Sequence, residues 1–280
     1  MTQPSQKTVL FTSFAGKDML LPPTDFSHAF GLLHVAQGQA NVMLSGQEVM
    51  MKQGDVLLIP QNVVIFAKSE EHTSLKLLCS PVALVKNMMQ TVEKDLFDML
   101  LLQARMRPYL LTENTSAYDD ILSALRLAED ESQSKEPGYL LMMHAQTGSL
   151  AASLLRRYSI DKNDSDRMLC HNLSRMTGAL TYMEANLGKK LTLANISQQM
   201  GLSADYFSHL VQNSTGKTAM QYLQVLRVNS AMHQLLTTTA SLGDIAKSVG
   251  YANAHSLSAV FSHLVGMTPT AFRRLLPSEK

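Results

Sequence analysis

The apolar positions of the first eighty residues fall in short runs separated by residues that favour turns. Gly38, Ser45-Gly46, Gly54-Asp55 and Pro60 stand between these runs. The runs are residues 32–35, 40–44, 56–59 and 63–67. Many short strands at this spacing are typical of a β-sandwich or a small barrel, so the pattern predicts β structure over residues 8 to about 80.

From Val82 the apolar residues recur at helical spacing instead. This spacing continues to Leu102, and further helices fit residues 117–131 and 139–158. A polar stretch without a long apolar run follows, which predicts a linker over residues 159–170. A C-terminal module is then expected from residue 171.

That module contains an internal repeat. Residues 196–202 and 245–251 align at an offset of 49, and one extra residue in the second copy moves the later matches to an offset of 50. These later matches pair Phe207 with Leu257, Val211 with Phe261 and Gly216 with Gly266. We therefore expect the same supersecondary structure twice.

Each copy has the pattern of a helix-turn-helix unit, predicted at about residues 191–213 and 241–265. Apolar residues four apart define a short helix, and Gly201 or Gly250 then provides the positive φ angle for a sharp turn. Ser203 and Asn253 can cap a second helix. Between the units, the pattern predicts a helix over residues 218–236 that spans about 28 Å, close to the separation of roughly 34 Å between successive major grooves.

These motifs resemble the DNA-binding domain of the AraC/XylS family of bacterial transcription regulators. The resemblance rests on residues 201–211, 222–227, 245–251 and 261–273, which occur in the family's order and spacing. It implies that the exposed face of each second helix contacts base edges in the major groove. The candidates for base contacts are Asp205, Ser208, His209 and Gln212 in the first unit and Ala254, His255, Ser256 and Ala259 in the second.

The candidates for phosphate contacts are Lys217, Arg227, Ser262, His263, Arg273 and Arg274. For Arg227 a structural role, in which it ties the connecting helix to a neighbouring unit, is an equal alternative. Where this chain has Ala259, Ser262 and His263, the family often has basic residues, so we expect weaker contacts to phosphates and to guanine.

The N-terminal strands resemble a cupin barrel at one motif, residues 54–60, where a glycine turn leads into a strand that ends at proline. The histidines of metal-binding cupins are missing: His34 stands alone, and Ile65 occupies the position five residues beyond Pro60. A metal site needs three or four converging donors. We therefore expect no metal, no cofactor and no catalytic residue, and the barrel either encloses a small organic effector or is a filled core.

Composition and charge fit these interpretations. The chain has 45% apolar and 17% charged residues, which is typical of a globular protein. Residues 171–280 carry 9 Lys and Arg against 4 Asp and Glu, whereas residues 1–170 carry 15 against 19. The C-terminal histidines, of which His171 is the first, could add charge beside phosphates. Two cysteines in no ligand-like spacing, no signal segment and no long apolar stretch favour the cytoplasm over export or a membrane.

The sequence thus predicts an α+β protein of two domains. Residues 1–158 form a cupin-like regulatory and dimerisation domain, with its barrel at about 8–80 and its helices at about 82–158, and residues 171–280 form an all-α double helix-turn-helix domain. The resemblance implies a homodimer, through a helix within 82–99 or 117–131, that binds promoter DNA and contacts RNA polymerase as an activator. The alternative is a small-molecule-binding or enzymatic cupin whose helical C-terminus mediates only protein contacts, although the sequence contains no enzymatic motif.

Overall fold

The structure is a computed structural model, and it describes the backbone of residues 8–44, 46–160 and 165–275. The side chains of residues 159–174 are not described, so the predictions for Cys170 and His171 lie outside the described residues. The chain forms two compact modules. The N-terminal module comprises Met1–Val42 and Glu48–Arg167, and the C-terminal module comprises Met43–Gln47 and Met168–Lys280.

The N-terminal module is built on one curled, seven-stranded sheet that forms half a barrel. The strands are β1 (Leu10–Asp25), β2 (Ala29–Gln37), β3 (Gln39–Leu44), β4 (Gln47–Lys52), β5 (Val56–Ile59), β6 (Val64–Pro81) and β7 (Tyr109–Leu111). Their order is β4-β3-β6-β2-β5-β7, and β1 also pairs with β6. The predicted strands are confirmed, but β6 continues 14 residues beyond Ala67, and β7 was not predicted.

Irregular pairing along β6 explains the curl of the sheet. Its antiparallel pairing with β1 is interrupted by register shifts near Gly16, Met19 and Leu21. Such shifts arise where one strand has an extra residue, and the extra residue increases the twist of the strand and bends the sheet. The turn before β5 is fixed by Gly54 at a φ of +93°, and the Tyr118 hydroxyl donates a 2.5 Å hydrogen bond to the Gly54 carbonyl oxygen.

Both faces of the sheet are buried, and one of them packs against helices. The helices are α1 (Val82–Asn87), α2 (Thr91–Met106), α3 (Tyr118–Ser134) and α4 (Tyr139–Ile160). Phe30 of β2 meets Phe97 of α2 edge to face, with ring centroids 5.2 Å apart. The opposite face carries buried aliphatic residues such as Leu33, Val35 and Leu75. Because both faces are covered, β5 is a continuous apolar run rather than an alternating one.

The helical spacing that begins at Val82 does not form one helix. It breaks between Asn87 and Thr91, where Gln90 and Glu93 form a reciprocal capping box that starts α2. Glu93 satisfies the backbone N–H of Gln90, which a continuous helix would not leave free. The helices predicted over 117–131 and 139–158 are confirmed as α3 and α4.

The C-terminal part of the chain forms seven helices within the described residues. They are α5 (Ser165–Ala185), α6 (Leu193–Gln199), α7 (Ala204–Thr215), α8 (Ala219–Thr237), α9 (Leu242–Ser248), α10 (Ala254–Val265) and α11 (Pro269–Arg274). The predicted linker, 159–170, is helical at both ends: α4 extends to Ile160, α5 begins at Ser165, and residues 161–164 lie outside the described part. The exact domain boundaries therefore stay a prediction. Among the described helices, none combines the length and the apolar character needed to cross a membrane.

Candidate nucleic-acid interface

The two predicted helix-turn-helix units are present as α6–α7 and α9–α10, with α8 between them. Their repeat extends to the residues that start each helix. Thr192 and Ser241 cap the first helices, and Ser203 and Asn253 cap the second ones, each through its side chain and the backbone N–H three residues later. Because each cap satisfies a backbone donor that its helix leaves unpaired, the boundaries of both units are fixed by local sequence.

The glycines that turn each unit differ in their surroundings. Gly201 has a φ of +65° and Gly250 a φ of +85°, so both adopt the left-handed conformation predicted for them. A Cβ atom at Gly201 would meet nothing within 4 Å, whereas one at Gly250 would lie 2.2 Å from the carbonyl oxygen of Leu187. The first turn requires glycine for its backbone angle alone, and the second also requires it for space.

Helix α7 presents a polar face opposite its buried one. Phe207, Leu210 and Val211 are buried. Of the base-contact candidates, Asp205, His209 and Gln212 are exposed and Ser208 is half-buried. The carboxamide of Gln212 donates a 3.2 Å hydrogen bond to the Gly216 carbonyl at the end of the helix.

Helix α10 has the same arrangement with different chemistry. Leu257 and Phe261 are buried, and Val260 is half-buried. His255 and Ala259 are exposed, while Ala254 and Ser256 are half-buried. The Ser256 hydroxyl is 3.1 Å from the side-chain oxygen of Asn253, the residue that caps the helix. Ser256 thus contributes to the helix start as well as to the predicted reading face.

Exposed residues four apart form a stripe along each second helix. On α7 the stripe is Asp205, His209 and Asn213, and on α10 it is His255, Ala259 and His263, at the same three positions of the repeat. Asn213 was not among the predicted contacts, although the offset of 50 residues pairs it with His263. The two stripes carry different donors and acceptors at every position, so the units present different surfaces to a ligand.

The phosphate-contact candidates fall into two groups. Lys217, Ser262, His263 and Arg274 lie at or near the surface, at helix ends or in their last turns. Arg273 is half-buried, and its guanidinium donates a 2.7 Å hydrogen bond to the carbonyl oxygen of Ala240, just before α9. The structure therefore brings Arg273 into the packing of α11 against the start of the second unit.

Arg227 of α8 lies between the two units. Its guanidinium donates a 3.0 Å hydrogen bond to the carbonyl oxygen of Lys189 and lies 5.6 Å from the ring centre of Tyr251. Burial lowers the pKa of Arg227 from its ordinary value, and the nearby Tyr251 acts in the opposite direction. These contacts connect the loop before the first unit to the turn of the second, which favours the structural alternative for this residue.

An open basic cleft of about 400 Å³ surrounds this connection. Its lining includes four cationic side chains, those of Lys189, Lys190, Arg227 and Lys247, together with Tyr251. None of the three lysines was among the predicted contacts. They lie in the loop before α6 and at the end of α9, and only the fold shows that the two places meet.

A second contact missed from the sequence joins α5 to the first reading helix. Arg175 donates a 3.0 Å hydrogen bond to the Tyr206 hydroxyl and lies 5.4 Å from the centre of its ring. Tyr206 is next to Asp205 at the exposed start of α7. This pair holds the N-terminal turn of the helix at the end where base contacts are predicted.

In the N-terminal module, His34 belongs to a charged cluster between the sheet and α3. It is in register with Lys76, whose amine forms a 2.5 Å ion pair with Glu129. Burial, aided by the nearby Lys76 and Arg126, lowers the pKa of His34. Among the described residues no group of three or more His, Cys, Asp or Glu side chains is placed to hold a metal ion.

Two family models match the chain, one for each module. Residues 20–137 match the AraC-like ligand binding domain, and residues 196–275 match a helix-turn-helix domain. The chain is 24% identical over 285 residues to the RCS-specific transcriptional activator RclR of Escherichia coli, an alignment that covers 98% of this chain and 94% of RclR.

Other relatives match mainly the C-terminal part. The bifunctional transcriptional activator/DNA repair enzyme AdaA of Bacillus subtilis is 32% identical over 99 residues, and the activator RhaR of Klebsiella pneumoniae is 30% identical over 126 residues. These alignments cover 35% and 45% of this chain, and they span 47% of AdaA and 43% of RhaR.

The whole fold is similar to that of ToxT from Vibrio cholerae. One ToxT structure has a TM-score of 0.61 at 11% identity and covers 97% of this chain and all of ToxT. A structure of ToxT bound to an unsaturated fatty acid has a TM-score of 0.56 at 13% identity and covers 99% of this chain and 98% of ToxT.

Proposed function

The chain belongs to the AraC/XylS family of transcription regulators, and from that premise we propose that it controls transcription by binding promoter DNA through α7 and α10 in adjacent major grooves. The observation that carries this proposal is the pair of matched, capped units, each with an exposed polar stripe. Helix α8, at 19 residues, is about 28 Å long, which suits two reading helices placed one turn of DNA apart.

Readout of bases would come from the exposed stripes and Gln212. An amide such as that of Gln212 can form two hydrogen bonds with adenine, and the imidazoles of His209 and His255 can each bond a base edge. Asp205 can accept a hydrogen bond from cytosine. Ala259 offers only apolar contact, which suits the methyl group of thymine.

The protein would be positioned on the duplex by contacts to phosphates from Lys217, Arg274, His263 and Ser262. We assign Arg227 and Arg273 to a bracing role, because their guanidinium groups are hydrogen-bonded to the carbonyl oxygens of Lys189 and Ala240. With few cations left to contact phosphates, one copy of the C-terminal module would bind weakly. A homodimer would compensate, because the second binding event becomes intramolecular.

We assign that dimer to a helix of the N-terminal module. Two large apolar side chains are exposed on α2 and α3, Leu127 on α3 (50% exposed) and Val92 on α2 (71% exposed). Sedimentation of the full chain at micromolar concentration should show a dimer. Leu127→Glu and Val92→Glu should differ in their effect, and the variant that becomes monomeric identifies the helix. A monomeric wild-type protein would contradict this assignment.

The N-terminal module would act as the sensor. The sheet face away from the helices is lined by aliphatic side chains, so an effector held there would be a small, largely apolar organic molecule. ToxT, with a similar fold, has been observed with a fatty acid bound. The alternative is a filled core that serves only dimerisation. Thermal unfolding with and without medium-chain fatty acids distinguishes the two, because only a bound effector raises Tm.

The mode of action would be activation by contact with RNA polymerase, since RclR and RhaR are both named as activators. The protein would work by binding and not by catalysis, in the cytoplasm where its DNA lies. Transcription in vitro from a bound promoter should rise when the protein is added. A fall would make the protein a repressor.

The experiment that tests the main proposal is selection of bound sequences from a random DNA pool by the full chain. We expect one enriched site with two short conserved blocks about one helical turn apart. Binding to that site should weaken steeply with salt, whereas a scrambled duplex should bind far more weakly at every salt concentration. If no sequence is enriched, the alternative of a cupin-like binding protein with a protein-interaction tail replaces this proposal.

A further inference from the structure

The basic cleft stands out within the C-terminal module because no acidic residue lines it. Its four cations are half of the eight Lys and Arg residues found between 168 and 275. The only acids in that segment are Glu184, Asp205 and Asp244, and none of them lines the cleft. Neither Asp205 nor Asp244 forms an ion pair within 4 Å with any of the four.

The cleft is also rigidly built. Its floor is the contact between the loop before α6 and the turn before α10, where both backbones approach closely. A Cβ atom at Gly188 would lie 2.9 Å from the carbonyl oxygen of Ser248, and one at Gly250 would lie 2.2 Å from that of Leu187. Arg227 is fixed by its bond to Lys189, whereas Lys190 and Lys247 are exposed at the rim.

One further group in the lining lacks an internal partner. The hydroxyl of Tyr251 is buried and forms no hydrogen bond with any residue in the described part of the chain. Burial raises the pKa of Tyr251, so this group is a neutral donor at neutral pH. The cleft thus combines unpaired positive charge with an unused donor, which is the chemistry expected for an oxyanion ligand.

The position of the cleft indicates the source of that anion. Its last lining residue, Ala252, lies two residues before Ala254, where the second reading helix begins. When the N-terminal end of such a helix enters a major groove, the phosphates that border the groove lie beside the preceding turn.

We propose that the basic cleft binds a phosphodiester of the DNA backbone next to the groove occupied by α10, with Lys190 and Lys247 as its principal contacts. The inference rests on the proposed function and extends it. The cleft adds to the few phosphate contacts of the reading helices, and it holds its own contacts at a place formed jointly by both units. A phosphate bound there orients the second unit on its groove.

The test measures binding of the full chain to its selected duplex over a range of salt concentrations. In the variant Lys190→Gln/Lys247→Gln, we expect binding about 10-fold to 100-fold weaker near 0.15 M salt, and a slope of log K against log salt smaller by almost 2. The order of preference among sequences should not change. The matched control is Lys17→Gln/Lys52→Gln, which removes the same charge from exposed positions of the N-terminal module and should bind as the wild type does.

Two results would overturn the proposal. One is a cleft variant that binds DNA with the affinity and salt slope of the control. The other comes from calorimetry with inorganic pyrophosphate in the absence of DNA: micromolar binding that the cleft variant loses, with DNA binding intact, assigns the cleft to a free phosphate compound. Failure of the wild-type protein to select any DNA sequence is a separate result, and it defeats the proposed function itself.

Circular dichroism melts of both variants should match the wild type, because all four lysines are exposed.

Discussion

The hydrogen at the α-carbon of Gly250 faces the carbonyl oxygen of Leu187 so closely that a methyl group in its place would lie 2.2 Å from that oxygen. This contact joins the turn of the second helix-turn-helix unit to the loop that precedes the first. Together with the hydrogen bond from Arg227 to Lys189, this contact holds the second helix-turn-helix unit directly against the loop at the start of the first. The units are therefore connected by more than α8. The spacing of the two reading helices therefore depends on residues outside both of them.

Substitution of the two turn glycines separates backbone strain from this contact. Gly250→Ala should lower the free energy of unfolding of the C-terminal module by about 2–4 kcal/mol, because it adds overpacking to a left-handed φ angle. Gly201→Ala carries only the angular strain and should cost about 1 kcal/mol. Urea unfolding followed by circular dichroism measures both, and equal losses would show that the contact with Leu187 relaxes freely.

The role of Arg227 can be decided by keeping its charge. Arg227→Lys retains the cation but loses the planar group over Tyr251 and the fixed bond to Lys189. We expect a Tm lower than that of the wild type and weaker DNA binding, because the fixed contacts are lost, and an unchanged salt slope, because the charge is kept. Lys217→Gln should behave in the opposite way, with an unchanged Tm and a salt slope smaller by about 1. An Arg227→Lys protein with normal stability would point to a phosphate contact.

The sequence predicted most helices and turns of the C-terminal module, but not the contacts that hold its two units together. Caps such as Ser203 and Asn253 and turns such as Gly201 act within a few residues, so local pattern was sufficient to place both units. The contacts of Gly250 with Leu187 and of Arg227 with Lys189 join segments 38 or more residues apart, and no local periodicity records them. The three cleft lysines escaped notice for the same reason.

In the N-terminal module the same distinction holds. The short strands and the Gly54 turn follow from alternation and turn chemistry. The length of β6 does not, because residues 68–72 are polar and look like a loop, whereas β1 pairs with Lys68 and Ser69 and again from Thr73 onward. His34 was expected to be a lone residue without a metal, but its partners Lys76 and Glu129 could be found only from strand register and the position of α3.

His34 should make the stability of the N-terminal module depend on pH. Burial lowers the pKa of the folded imidazole below its ordinary value of 6.5, so the unfolded chain binds a proton more readily. The stabilising contribution is therefore complete above pH 6.5 and is lost as the pH falls below it towards the folded pKa. Between pH 7.5 and 5.5, His34→Gln should lose less unfolding free energy than the wild type. An equal loss in both proteins would mean that other groups account for the acid sensitivity.

A substitution in the stripe on α10 can add a base contact. Added recognition of one base is a stricter test of the reading face than lost binding. Ala259 is exposed at the middle of the stripe and is the counterpart of His209 on α7. Ala259→Arg should strengthen binding to duplexes with guanine at one position of the second half-site, by about 1–3 kcal/mol relative to the other bases, because arginine can form two hydrogen bonds with guanine. The matched control is Ala252→Arg, which adds the same charge at an exposed position before α10 and should strengthen binding to all sequences alike. Selection from a random pool with each variant measures the difference. If Ala259→Arg also acts on all sequences alike, then the exposed face of α10 contacts the backbone and base readout in the second unit must come from other residues.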